Sequence, residues 1–97
     1  MLARKPGAFV RLEQDGKLIG VYALNEDRRE VIPDKDGGEG NVLVIKGGAV
    51  YMEAANCPDR LCVKQGTRSQ IGETIICLPH KLAVTVIGAE EAKELMP

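Results

Sequence analysis

The chain has little that absorbs near-ultraviolet light: two tyrosines, one phenylalanine and no tryptophan among 97 residues. A core built around stacked rings is therefore excluded, and Phe9, Tyr22 and Tyr51 leave packing to Val, Ile, Leu and Met. The same scarcity argues against single-strand nucleic-acid binding, which commonly stacks bases on aromatic side chains. Net charge is nearly absent too. Thirteen basic against fourteen acidic side chains give −1, so no global field draws in nucleic acid or anionic lipid. No run of eighteen apolar residues occurs, which removes a membrane-spanning helix from these residues. One histidine, His80, leaves no Ser/His/Asp arrangement to argue from spacing. Glycines 37, 38 and 40 do not open a helix after a strand, so they do not read as a phosphate cradle.

What is present is strand after short strand. Ala8–Glu13 alternates apolar and polar residues, Asp15-Gly16 has the chemistry of a type I′ turn, and Leu18–Leu24 returns. Gly20 within that second run marks a bulge or a close backbone approach. Phe9 and Leu12 fall on opposite faces, and the pattern alone does not say which faces the core. Arg29–Ile32 is a further short strand, and residues 33–40 have the composition of an exposed loop. Val42-Leu43-Val44-Ile45 is apolar without alternation, as a strand buried on both faces requires. Lys46–Ala49 turns the chain into Val50–Ala54. A short helix is expected over residues 58–65, opened by Asn56 or Cys57 with Pro58 in the first turn and stopped by Gly66. Glu73–Leu78 and Leu82–Ile87 complete the set, with Pro79 at a strand end. Residues 90–95 favour helix by propensity but lack a clear apolar face, so fraying is expected there.

About seven short strands with one short helix predict a small all-β barrel or sandwich in a single domain over residues 8–88. Residues 1–7 are expected as an N-terminal tail and 89–97 as a C-terminal one. Met1-Leu2-Ala3 followed by Arg4, Lys5 and a Pro-Gly break suits the trailing edge of a removed membrane anchor, and suits an ordinary frayed terminus as well.

The densest chemistry lies in Cys57-Pro-Asp-x-x-Cys62-Val-x-x-Gly66 and Ile76-Cys77-Leu78-Pro79. Together with the hairpin over 8–24 and the Val42–Ile45 run, these motifs resemble the NusG domain II superfamily. These are small standalone bacterial proteins similar to the domain inserted in some NusG transcription factors. The resemblance covers residues 8–88 and implies a compact, barrel-like β domain. In standalone members it further implies an N-terminal membrane segment. The regions of NusG that contact polymerase and ribosome have no counterpart in these 97 residues, so the resemblance carries no transcription role.

Three sulfurs allow three readings. A structural disulfide joins Cys77 to Cys62 or to Cys57. The Cys62–Cys77 bond closes a loop of about sixteen residues and contributes roughly 3 kcal/mol. Cys57–Cys62 is disfavoured in a regular helix, and any bridge presupposes an oxidising compartment. The second reading is zinc, held by Cys57, Cys62, Cys77 and His80, although the resemblance brings no metal with it. The third is a reactive thiol at Cys57, activated by a helix N-terminus and Arg60. The usual Cys-x-x-Cys beside a βαβ unit is missing. His80, in a turn beside Lys81, is expected at the surface.

Arg60, Lys64, Arg68 and Lys81, against Asp59 and Glu73, make the one locally basic stretch. It reads as a solvated face first and a phosphate-binding patch second. The expectation is a non-enzymatic binding or scaffolding module without metal or cofactor. It is extracytoplasmic, engages a protein partner, and meets the membrane only through an N-terminal anchor. The alternatives are a cytoplasmic nucleic-acid-binding domain using the basic patch, and a thiol redox or zinc protein.

Overall fold

A computed structural model describes residues 5–33, 37–38, 40–55 and 61–96. Seven strands form two antiparallel sheets: β1 (Phe9–Gln14), β2 (Lys17–Ala23), β3 (Arg28–Ile32), β4 (Asn41–Lys46), β5 (Ala49–Ala55), β6 (Thr74–Cys77) and β7 (Leu82–Ile87). Two short helices, α1 (Leu61–Lys64) and α2 (Ala89–Leu95), complete the order, with α1 between β5 and β6. One sheet runs β2-β1-β7-β6 and the other β3-β4-β5. The sheets do not close on one another, so the expected barrel or sandwich is an open sandwich.

Period-two alternation explains the packing. Val10 and Leu12 of β1, with Leu82, Val84 and Val86 of β7, face the core from the larger sheet. Leu43, Ile45, Val50 and Met52 meet them from the smaller one. Leu12 thus takes the core face, and Phe9 lies half-buried on the other. All of Val42–Ile45 is buried. Leu43 and Ile45 belong to the main cluster, while Val44 sits on the outer face between register partners Arg29 and Tyr51. Arg29 Nε reaches Glu53 Oε2 at 2.9 Å, spanning that face above the central strand.

The turns follow their residues. Asp15 and Gly16 adopt φ of 53° and 77°, the positive pair that a type I′ hairpin needs. In the β1–β2 ladder, Leu12 pairs with Gly20 and Glu13 with Leu18, leaving Ile19 as the extra residue of a bulge. Gly20 also lies against the Tyr22 ring, where a Cβ would come within 2.7 Å of the phenol oxygen. Both meanings anticipated for this glycine hold at once. The guanidinium of Arg28 stacks 4.3 Å from the centroid of the same ring.

The described parts of both flanking segments, residues 5–7 and 89–95, are drawn into the body. Gly7 N–H donates to Ser69 O at 2.7 Å and Ile71 N–H to Lys5 O at 2.8 Å, so residues 5–7 pair with the strip before β6. The expected fraying after residue 89 gives way to α2, which buries Ala92 completely. Arg11 fixes this helix to β1 by pairing with Glu91 while holding Glu13 at 3.1 Å. Its apolar face is narrow, little more than Ala92, and was for that reason hard to see in the sequence.

Candidate functional site: the cleft between α1 and β6

Among the described residues the cysteine segment forms a helix within the expected range. Helix α1 starts at Leu61 among the described residues, and Gly66 at φ 79° stops it in the left-handed conformation. Cys57, Arg60, Asp59 and the anticipated cap at Asn56–Pro58 lie outside the described residues. Cys62 is the buried residue of α1 and points into the core; Cys77 ends β6 and is equally buried. Two of the three sequence-selected sulfurs are thereby brought to one place. Among the described residues no sulfur–sulfur bond joins Cys62 to Cys77.

A polar chain connects them. Asn41, the first residue of β4, is 1% exposed and is the one buried polar side chain among the described residues. Its Nδ2 donates to Cys62 Sγ at 3.6 Å, and its Oδ1 accepts from His80 Nδ1 at 2.7 Å. The same His80 nitrogen stands 3.5 Å from Cys77 Sγ. His80 is therefore half-buried and engaged, a correction to its expected place at the surface. Sequence reasoning missed Asn41 altogether. A polar residue opening an apolar strand carries no local signal when its partners come from positions 62 and 80.

The geometry defines what this chain of groups does. Because Nδ1 donates its proton to Asn41, the nitrogen nearest the thiol of Cys77 holds a proton rather than a lone pair. It is not placed to deprotonate that sulfur, and a Cys–His nucleophile needs such a base. The arrangement ties α1, β4 and the β6–β7 turn together through satisfied buried polar groups. Among the described residues no three His, Cys, Asp or Glu side chains are grouped to hold a metal ion.

Above the sulfurs lies a cleft of about 290 Å³ between α1 and β6. Leu61, Cys62 and Gln65 form one wall, and Ile76, Cys77, Leu78 and Pro79 the other. Its rim is apolar and exposed: Leu61 is 56%, Ile76 43% and Leu78 78% accessible. Such clustering of exposed aliphatic side chains marks interaction surfaces.

The basic residues divide. Lys64 and Lys81 are exposed on α1 and on the β6–β7 turn. Arg68 is half-buried instead, its Nε donating to Thr74 O and its Nη1 to Thr67 O, both at 3.1 Å. Its backbone bridges to Val50 of β5. Arg68 thus works as a sheet-edge residue, and Arg60, the fourth member of the expected patch, lies outside the described residues.

An open β-sandwich with one short cysteine-bearing helix against an edge strand is the class that these features define. The chain belongs to the NusG domain II family, whose model matches residues 3–90. A DUF1312 family protein of Ruminococcus gnavus is similar at 42% identity and TM-score 0.75, covering 82% of this chain and 97% of its own. A DUF1312 family protein of Enterococcus faecalis is similar at 32% identity and TM-score 0.76, with 84% and 97% covered. A Listeria innocua protein is similar at 29% identity and TM-score 0.75, with 84% and 95% covered. No curated protein matches the chain. Among the described residues no helix is long and apolar enough to cross a membrane.

Proposed function

We propose that the protein is a non-enzymatic binding module, held outside the cytoplasm by an N-terminal anchor, that engages a protein partner at the α1–β6 cleft. The observation that carries the docking surface is Leu78, 78% exposed at the mouth of an apolar cleft with Leu61 and Ile76 beside it. The hydrogen-bonded Asn41–His80 pair supports a rigid wall rather than a reaction centre. A cysteine pattern suited to oxidation supports the compartment.

Photo-crosslinking in cells that produce the protein natively tests the surface. A photoreactive residue at Leu78 is expected to give a discrete adduct that forms again with the purified partner, and one at Leu18 none. Equal labelling from both positions, or none from Leu78, discards the cleft. Alkylation before and after reduction tests the compartment, and three freely labelled thiols in natively sourced protein count against it.

A further inference from the structure

Strand β6 is an outer strand of its sheet, and an outer strand normally presents unpaired main-chain groups to solvent. Here three of those groups are covered by side chains. The Gln65 carboxamide reproduces a backbone pairing: Nε2 donates to Ile76 O at 2.8 Å, and Oε1 accepts from Ile76 N–H at 3.1 Å. One step along, Arg68 Nε covers Thr74 O at 3.1 Å. A side-chain amide has the same donor and acceptor as a peptide unit, so Gln65 occupies the place that one residue of an added strand would take. Both contacts are exposed, and the side chains making them hang from short segments beside the cleft. Displacing them exchanges hydrogen bonds of one kind for another, at small net cost.

From this geometry we infer that the β6 edge is a strand-addition site for an extended peptide that alternates aliphatic and acidic residues. Its backbone replaces Gln65 on Ile76, and an aliphatic side chain enters the cleft between Leu61 and Leu78. Main-chain pairing supplies affinity in this mode, and side-chain pockets supply selectivity. Charge selects the acidic class. From residue 61 to residue 81 the cations are Lys64, Arg68 and Lys81, while the one acid is Glu73. Glu73 Oε1 accepts from the Ser69 and Gln70 amides at 3.0 and 2.9 Å, which holds it in the turn before β6. An incoming carboxylate meets Lys64 or Lys81, with no opposing exposed anion on either cleft wall among the described residues.

The inference rests on the cleft being the docking surface, and its test separates the two. The probe is a blocked hexapeptide alternating leucine and glutamate, with a lysine-for-glutamate counterpart and two forms N-methylated at alternate backbone nitrogens. Amide resonances of the intact protein are followed by NMR during titration. The glutamate peptide is expected to shift Ile76 and Leu78 and to bind about tenfold more tightly than the lysine peptide. At least one N-methylated form is expected to lose about tenfold, because only alternate amides face an added strand. Gln65→Ala is expected to strengthen binding by about threefold, since it removes the internal competitor. A Gln65 that merely braces α1 predicts weaker binding of that variant and overturns the inference. Binding at Leu78 that ignores both N-methylations also overturns it, while leaving the cleft intact as a docking surface. Dimerisation of Gln65→Ala through β6 in place of peptide binding assigns the edge to a second copy and likewise overturns it. A glutamate peptide that shifts neither residue rejects strand addition outright; the docking surface then stands or falls with the crosslinks from Leu78.

Discussion

The larger sheet has two outer strands, and the protein protects them by different means. On β2 the protection is in the backbone. Ile19 is the extra residue of a bulge, Gly20 lets the Tyr22 ring lie across the strand, and Arg28 stacks on that ring. Leu18 and Ile19 remain exposed, but the ladder beyond them is bent out of register. On β6 the strand is regular and the protection lies in two side chains, Gln65 and Arg68. A bulge cannot be removed without refolding the hairpin, whereas a side chain leaves by rotating about its single bonds. The β2 edge is thus closed by its backbone path, and the β6 edge is held shut by replaceable contacts. The apolar cleft and the buried sulfurs lie beside the second.

Four substitutions, one of them the control Ile19→Ala, probe this contrast, the most costly first. Ile75→Ala removes a fully buried side chain of β6 and is expected to cost about 3 kcal/mol in urea unfolding, against under about 0.5 kcal/mol for Ile19→Ala on β2. Similar costs at both positions would show that β2 is packed as firmly as β6 and erase the asymmetry. Asn41→Ala leaves His80 and Cys62 without their shared partner and is expected to cost about 2 kcal/mol. Hydrogen exchange sharpens that result. Amides of α1 and the β6–β7 turn should exchange faster beyond the global loss of stability, while β2 should change only with the global term. Uniform acceleration would mean that the polar chain holds no particular side of the molecule. Gly20→Ala forces the Tyr22 ring aside and off Arg28, for an expected loss of about 1 kcal/mol measured by thermal unfolding. No loss would place the protection of β2 in the bulge alone.

The strands were legible because their signals are local. Alternation in Ala8–Glu13, the unbroken Val42–Ile45 run, Asp15-Gly16 and Gly66 each bias two or three dihedrals regardless of the rest of the chain. The contacts of the two flanking segments are hard to read for the opposite reason. Lys5–Gly7 find their hydrogen bonds at residues 69–71, and α2 is fixed largely by Ala92 and an ion pair to Arg11. Neither partner lies within a turn of the segment it holds. The sulfurs of Cys62 and Cys77 stand out in the sequence by their motifs, whereas the groups that link them do not: Asn41 carries no local signal, and His80 reads as a surface residue. Gln65 escaped notice because a glutamine after a short helix looks like solvent-facing filler.

Composition and spacing alone settled the number of strands, the position of their turns and the all-β class. Those properties depend on torsional preference and on hydrophobic period, which each residue shares only with its near neighbours. Which strand became an outer one, which edge a side chain covers, and which polar groups meet beneath the cleft were decided by the sandwich itself. These depend on pairs far apart in sequence that come into contact only when two sheets close over one core.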